Sequence, residues 1–364
     1  MNATRKLGTA LLAGVWVGLT LLCWFLPARQ VSDAERRPLA QMPQLTAKSL
    51  LSGKYMEEFE SYSLDQFPFR DNFRQLKSLF HYYGLNQSDN NNIYIANGYG
   101  AEMEYPLDEE SVSHALQQFQ KLYDRYLKDA GSRVYTAIVP DKGYYLAEGN
   151  GYLSMDYDRL FQMVEQGMPW SVHVDITDDL QIEDYYFTDT HWRQEKLQDV
   201  ATTLCRAMGV TPPQLKDYTQ TALERPFYGV YYGQAALPMQ PETMYILENE
   251  LLASCSVYNY VTDSTAGIYD QEKLNAKDLY EVYLSGPQSL LRIENPNALT
   301  DRELIVFRDS FGSSLVPLLV QDYAAVTLVD IRYIRPEVLG RYVEFENRDV
   351  LFLYSTLVLN KKLI

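Results

Sequence analysis

The chain has 364 residues, enough for one large domain or two smaller ones and for a sizeable apolar core. Hydrophobic residues make up 46% of it and charged residues 22%, which is typical of a globular protein and excludes a largely disordered one. The formal net charge of −16 repels phosphate backbones and argues against nucleic acid as a partner.

The N-terminal segment predicts a membrane anchor over residues 1–27. The 20 residues from Leu7 to Leu26 carry no charge, and a helix of that length spans roughly 30 Å, about one bilayer core. No small-residue cleavage site follows, so we expect a single uncleaved span with the rest of the chain outside the cytoplasm. A cleaved signal peptide is the alternative. Arginines follow the span as well as precede it, so charge alone does not fix the orientation.

The next region, residues 28–90, predicts a linker followed by amphipathic helices. Residues 28–48 are polar and contain several prolines, which favours an irregular segment. Aromatic and leucine residues recur at three- and four-residue spacings over 49–84, with a break at Pro68. We expect the remaining residues, 91–364, to form an α/β domain.

The first half of that domain mixes strands and helices. "NNIYIANGYG" (91–100) reads as a strand and turn, and residues 111–130 as an amphipathic helix. Buried-type strands follow at 133–140 and 171–176, and a helix at 193–208. Short aromatic and β-branched runs separated by turn residues then predict a β-rich insertion at about 209–300.

The C-terminal part alternates regularly between strand and helix. Strands are predicted at 303–307, 325–331 and 349–355, with helices at 313–323 and 335–345 between them. Such alternation requires crossover connections and a mostly parallel sheet with helices on both faces. The predicted fold class is therefore α/β.

Two polar clusters follow predicted strands, where α/β proteins build their sites. Asp189, Thr190 and His191 form the first cluster, and Ser310, on a turn before a helix, lies in the second. A serine nucleophile needs a base, and the base needs a carboxylate that orients it. Either cluster alone is weak, because a D-x-H triplet is often structural and a serine after a strand is often a helix cap.

These two clusters belong to a series of sequence blocks that resemble blocks of one bacterial family and occur in the same order along the chain. The chain resembles the DHHW family of extracytoplasmic proteins, which is similar to the SGNH-hydrolase-like proteins of alginate O-acetylation. The quoted blocks include "FESYSLDQFPFRDNF" (59–73), "VPDKGYYL" (139–146), "FTDTHW" (187–192) and "FRDSFGSSLVPLL" (307–319). The chain departs from the family name by carrying Thr190 where a second histidine is implied.

The resemblance implies a permuted SGNH-type site in which the D-x-H block precedes the serine block. It assigns Ser310 as the nucleophile, His191 as the base and Asp189 as the residue that orients it. Weaker candidates for substrate or oxyanion contacts, besides the Ser310 N–H, are Asn97, Gly98 and Arg308.

The resemblance also implies a function on the cell envelope. It points to an O-acetyltransferase or acetylesterase that acts on an envelope polysaccharide, needs no metal or cofactor, and takes its acyl group from a membrane-bound O-acyltransferase partner. The residues leave another class open, a non-catalytic carbohydrate-binding or scaffold partner of such an acyltransferase. The 30 tyrosines suit sugar binding in either case. The three cysteines show no zinc-type spacing, and a Cys205–Cys255 disulfide is left open.

Overall fold

The structure, a computed structural model, describes residues 3–32 and 34–364. Its α-helices are α1 (Ala3–Phe25), α2 (Ala47–Leu51), α3 (Lys54–Asp65), α4 (Arg70–Leu79), α5 (Glu109–Leu122), α6 (Lys142–Leu146), α7 (Tyr157–Gly167), α8 (Gln198–Met208), α9 (Val230–Ala235), α10 (Glu250–Ser254), α11 (Gly312–Leu315) and α12 (Thr356–Leu359). Its strands are β1 (Val31–Ser32), β2 (Arg37–Pro38), β3 (Ile93–Ala96), β4 (Tyr99–Glu102), β5 (Arg133–Val139), β6 (Val172–His173), β7 (Thr219–Ala222), β8 (Tyr245–Glu248), β9 (Ser256–Asn259), β10 (Ser264–Ala266), β11 (Leu290–Glu294), β12 (Glu303–Arg308), β13 (Ala325–Val329) and β14 (Asp349–Ser355). Single π-helical turns extend α4 (Phe80–Gly84) and α5 (Tyr123–Leu127).

The chain divides into two compact units. The first contains the described residues up to Asn91 together with Tyr232–Pro238, and the second contains Asn92–Tyr231 and Met239–Ile364. The first unit is mostly helical, with the short antiparallel pair β1–β2. Its helix α1 is, within the described part of the chain, the one helix long and apolar enough to cross a membrane, over Arg5–Phe25.

The predicted helices of the first unit are present as α2, α3 and α4. The corner between α3 and α4 falls at Gln66–Phe69 and contains Pro68, whose ring is poorly compatible with a helix interior. A second break at Gly53, with φ of 80°, separates α2 from α3.

An eight-stranded sheet organises the second unit, with strand order β10-β9-β11-β13-β12-β14-β5-β6. The five strands from β13 to β6 run parallel, whereas β11, β9 and β10 add antiparallel pairs at one edge. The predicted α/β class with a large, mostly parallel sheet is confirmed. Three strands from the range predicted as a β-rich insertion belong to this sheet, because the apolar residues of β9 and β11 pack into its core.

Alternation along the central strands gives the sheet two buried faces. In β12, Leu304 and Val306 face one apolar core, and Ile305 and Phe307 face the other. Residues of α8 and α11 cover the first face, and residues of α5 and α7 cover the second. The predicted helices on both faces are therefore present.

Several predicted elements are shorter than expected. The strand predicted at 171–176 is reduced to β6, and the helix predicted at 193–208 begins at α8 after a 3-10 turn. The helix predicted at 313–323 is the short α11 followed by a 3-10 turn containing Pro317, which lacks the N–H that an α-helix requires. The helix predicted at 335–345 is a 3-10 helix over Pro336–Arg341. Strand β14 has the predicted bounds.

Candidate active site

Ser310 lies on a tight turn directly after β12. The buried Asp309 carboxylate holds this turn, because Oδ1 accepts the Phe311 N–H at 3.0 Å and Oδ2 accepts the Ser355 N–H, at the end of β14, at 2.7 Å. The turn is also compact, since a Cβ added to Gly312 would lie 2.9 Å from the Cβ of Arg308. The nucleophile candidate is thus fixed to the carboxyl ends of two adjacent strands.

Asp189 and His191 lie on an irregular loop, which corrects the expectation that they follow a strand of the sheet. The preceding sheet strand, β6, ends at His173, and the loop is closed by an isolated bridge between Tyr185 and Trp192. The buried Trp192 donates from Nε1 to the Phe311 carbonyl at 3.1 Å. This indole bond fastens the histidine loop to the serine turn.

The structure brings the three sequence-predicted residues together across 119 positions of chain. His191 Nε2 lies 2.8 Å from Ser310 Oγ, and His191 Nδ1 lies 2.6 Å from Asp189 Oδ1. The same Asp189 oxygen accepts the His191 backbone N–H at 3.1 Å. Asp189 is fully buried and His191 nearly so, whereas Ser310 is only half-buried. Their order of contact is that of a nucleophile, a base and an orienting carboxylate.

A second chain segment, missed by the sequence analysis, completes the setting of Asp189. The Val230 N–H donates to Asp189 Oδ2 at 2.9 Å, and the Gly229 N–H donates to Thr188 Oγ1 at 2.8 Å. The Gly229 backbone approaches so closely that an added Cβ would lie 2.3 Å from the Cα of Asp189. No local signal in "FYGVYYG" indicates this contact, since it joins positions 40 residues apart.

The imidazole of His191 is held on its flat side by Tyr280, another residue that the sequence analysis did not single out. The two rings stack with centroids 3.9 Å apart and an angle of 10° between planes. Tyr280 OH and Ser314 Oγ form a hydrogen bond of 2.8 Å, and Trp192 Nε1 donates to the same Ser314 oxygen at 3.0 Å. These contacts restrict the rotation of His191 and so keep Nε2 directed at the serine.

Lys142 is a fully buried lysine next to the site. Its ammonium donates to the carbonyls of Tyr186 at 2.9 Å and Phe187 at 3.4 Å, and lies over the Tyr231 ring at 4.9 Å. Burial lowers the pKa of Lys142 to about 7, although the negative charge of Asp189 opposes that shift. A lysine directly after a buried strand, as in "VPDKG", is a signal that could have identified it.

The weaker candidates occupy different places. Asn97 and Gly98 form the β3–β4 hairpin turn, where the Cβ position of Gly98 lies 3.8 Å from the Phe187 ring. No hydrogen bond within residues 3–32 and 34–364 joins either residue to Ser310. Arg308 is fully buried and donates to the Asp309 carbonyl at 3.2 Å and to Ser313 Oγ at 3.1 Å, which favours support of the serine turn over substrate contact.

The site has the parts needed for acyl transfer. Ser310 Oγ can lose its proton to His191, and the resulting imidazolium faces the Asp189 carboxylate. The Ser310 N–H donates no hydrogen bond to the backbone of a described residue. The described residues contain no group of three or more His, Cys, Asp or Glu side chains able to hold a metal ion.

Comparisons with known proteins bear out the family resemblance. The DHHW protein family matches residues 176–329, a range that includes Asp189, His191 and Ser310. A crystal structure of a DHHW family protein from Eubacterium siraeum DSM 15702 is similar, with a TM-score of 0.60 and 20% identity over 75% of this chain and 93% of that chain. PatB1 of Bacillus cereus, solved with a sulfonyl adduct, gives a TM-score of 0.60 and 18% identity over 74% of this chain and 97% of that chain. The O-acetyltransferase domain of Pseudomonas putida AlgJ is a more distant likeness, with a TM-score of 0.46 and 14% identity over 74% of this chain and 92% of that chain. No curated protein matches the chain.

Proposed function

We propose that this relative of the DHHW proteins is a membrane-anchored O-acetyltransferase or acetylesterase that acts on a cell-envelope polysaccharide. The observation that carries the proposal is the continuous chain of contacts from Ser310 Oγ through His191 to Asp189, at 2.8 and 2.6 Å. Structural carboxylate–histidine pairs are common, but a half-buried serine hydroxyl at the far ring nitrogen gives the pair a proton to remove.

The proposed reaction has two half-reactions. Ser310 Oγ attacks the carbonyl carbon of the acetyl donor while its proton passes to His191 Nε2. Collapse of the tetrahedral intermediate breaks the bond to the leaving group, which takes the proton back from His191. A glycan hydroxyl then gives its proton to Nε2 and attacks the carbonyl carbon of the acetyl-serine. Collapse of this second tetrahedral intermediate breaks the bond to Ser310 Oγ, which takes the proton back from Nε2 as the acetylated glycan leaves. Water in place of the glycan makes the same site an esterase.

Asp189 has the role of fixing the imidazole. Its Oδ1 accepts from Nδ1, so the neutral ring presents an unprotonated Nε2 to the serine. The carboxylate also stabilises the imidazolium formed in each half-reaction. The bonds that Asp189 receives from Val230 and from the His191 backbone keep its oxygens aligned for this purpose.

Ester turnover by the full-length protein in nanodiscs tests the proposal. Ser310→Ala should lower hydrolysis of p-nitrophenyl acetate by at least about a thousandfold, and His191→Ala should cost about as much, because the two groups act as a unit. A sulfonyl fluoride, which modifies activated serines, should add its mass to the peptide that contains Ser310 and to no peptide of the His191→Ala variant. Ser264→Ala, on the edge strand β10, is the matched control and should keep full activity.

If the protein is instead a non-catalytic glycan-binding or scaffold protein, the opposite results are expected. In that case the unmutated protein binds envelope glycan, cleaves no acetyl ester and carries no acyl group on Ser310, even beside a membrane-bound acyltransferase. That combination of results replaces the enzyme proposal.

The proposed location is the outer side of the cell membrane, with α1 as an uncleaved single span. The support is the length and apolar character of Arg5–Phe25, whose residues are not buried within the protein. Protease added to intact cells should degrade the domain, and the isolated protein should begin at or near Met1. A protein whose N-terminus begins after Pro27 contradicts the anchor.

A further inference from the structure

Helix α4, its N-cap residue and the π turn that follows it expose a continuous apolar stripe. Its members recur at alternating four- and three-residue steps, so they lie on one side of a helix. Each is between 46% and 65% exposed, and the members are Phe69, Phe73, Leu76, Phe80 and Tyr83. Large apolar side chains that line up on an exposed face mark an interaction surface. We call this set the aromatic stripe.

The opposite side of the same helix is polar and turned inward. Arg70 and Arg74 are 14% and 16% exposed, and both reach the Glu35 carboxylate, at 2.5 and 3.3 Å. One turn further on, the buried Ser78 accepts a hydrogen bond from Asn90 at 2.7 Å. A helix in water normally buries its apolar face and exposes its charges. This helix does the reverse, so its outer face is suited to an apolar neighbour.

The start of the stripe is tied closely to the end of α1. Four residues after Phe25, the Arg29 N–H donates to Gln66 Oε1 at 2.8 Å, and Gln66 Nε2 donates back to the Arg29 carbonyl at 2.9 Å. Arg29 also pairs with Asp71 at 3.2 Å. An extended chain covers at most about 3.5 Å per residue, so Arg29, which is bonded to the corner between α3 and α4, lies within about 14 Å of the last helical residue of the span.

We propose that the aromatic stripe lies in the interface of the lipid bilayer that holds α1. The inference rests on the proposed membrane anchor, and it adds a second contact that fixes how the first unit is oriented at the membrane. Helix α4 with its π turn is about 22 Å long at about 1.5 Å per residue, so it can lie flat along the surface. Phenylalanine and tyrosine are suited to this depth, where aromatic rings concentrate at membrane interfaces.

A lipid surface is favoured over a second copy of the chain by the short tether. Any bilayer that contains α1 ends within reach of this corner, whatever the oligomeric state of the protein. A second copy of the chain would have to bind the aromatic stripe close to the membrane surface, where lipid already lies within reach. Association of two chains through the stripe is therefore an outcome that the experiment must detect.

Depth-dependent quenching on the full-length protein tests the proposal. The protein carries Cys23→Ala and one added cysteine, Leu76→Cys or Tyr83→Cys, labelled with an environment-sensitive fluorophore in phosphatidylcholine–phosphatidylglycerol vesicles. The matched control is Gln75→Cys, one residue away but about 100° around the helix. The remaining two cysteines are buried and should not react. Acyl-chain-brominated lipid should quench positions 76 and 83 about threefold or more beyond position 75, and aqueous iodide should show the reverse order.

Each other outcome overturns the proposal in a recognisable way. Equal quenching at all three positions, in protein that floats with the vesicles, removes the stripe contact but leaves the anchor. Protection of position 76 from both quenchers, with disulfide cross-linking between two Leu76→Cys chains, assigns the stripe to a second copy. Protein that does not float with vesicles removes the anchor and the stripe contact together. The acyl-transfer proposal is tested separately, because its failure would appear as the absence of a sulfonyl adduct on Ser310.

A second variant guards against a folding artefact. Phe73→Ser with Phe80→Ser changes two exposed side chains, so the fold should survive. Turnover of a soluble acetyl ester should be unchanged, while the bromolipid quenching at position 76 should fall to the level of position 75. Unchanged quenching in this variant contradicts the proposal.

Discussion

Replacing Gly229 with alanine should disable the site although Ser310, His191 and Asp189 all remain in the sequence. The added methyl would lie 2.3 Å from both the Cα and the Cβ of Asp189, and carbon atoms in contact normally stay at least about 3.5 Å apart. The two backbone segments must therefore separate by about 1 Å. Their hydrogen bonds, from Val230 to Asp189 and from Gly229 to Thr188, lengthen or break as a result.

The expected cost has two parts. A displacement of about 1 Å in a reacting constellation lowers turnover by roughly a hundredfold, and overpacking of a buried contact costs about 1–3 kcal/mol of stability. Initial rates on p-nitrophenyl acetate measure the first part, and urea unfolding measures the second. Gly149→Ala is the control, because an alanine methyl at that position meets nothing within 4 Å. Wild-type turnover in Gly229→Ala would refute the reasoning.

Three further predictions concern buried groups. Asp189→Asn should lower ester turnover by orders of magnitude while the protein stays folded, because the amide can leave His191 in the wrong tautomer; turnover near that of the wild type would contradict this role. Burial depresses the pKa of Lys142 from 10.5 to about 7, so the unfolded chain binds more protons between these pH values. Stability should therefore fall as the pH drops through that window, by at most about 1.4 kcal/mol per pH unit, and urea unfolding of Lys142→Met should show a smaller slope. Cys205 and Cys255 are free and buried, and burial raises the pKa of each thiol, to about 12 and about 11 respectively. Neither should react with a thiol reagent until urea unfolds the protein, and fast reaction of the native protein would contradict their burial.

The reactive residues could be predicted because each sits in a short run whose chemistry is visible locally. Both patterns are local in the sequence: a serine follows the apolar strand β12, and an aspartate stands two positions before a histidine. The central strands β12 and β14 were equally visible, since strands buried on both faces read as continuous apolar runs.

The surroundings of the site could not be predicted, because they depend on pairing between distant segments. Gly229 meets Asp189 across 40 positions, and Tyr280 stacks on His191 across 89. Nothing adjacent in the sequence marks either contact. Tyr185 and its aromatic neighbours predict a strand before Asp189 and His191, because aromatic residues favour extended structure. In the structure, Tyr185 and Tyr186 are buried by tertiary packing instead, and Phe187 is exposed.

The position of β14 has a consequence for how the protein is made. This strand comes after β5 and β12 in the chain yet lies between them in the sheet, and its Ser355 N–H donates to the carboxylate of Asp309 beside the nucleophile candidate. The sheet therefore cannot close until residues 349–355 have been synthesised and have left the ribosome. A chain that stopped before Asp349 would leave β12 and β5 without their shared neighbour. A nonsense mutation that removes Asp349–Ser355 should therefore be as damaging as one that removes β12.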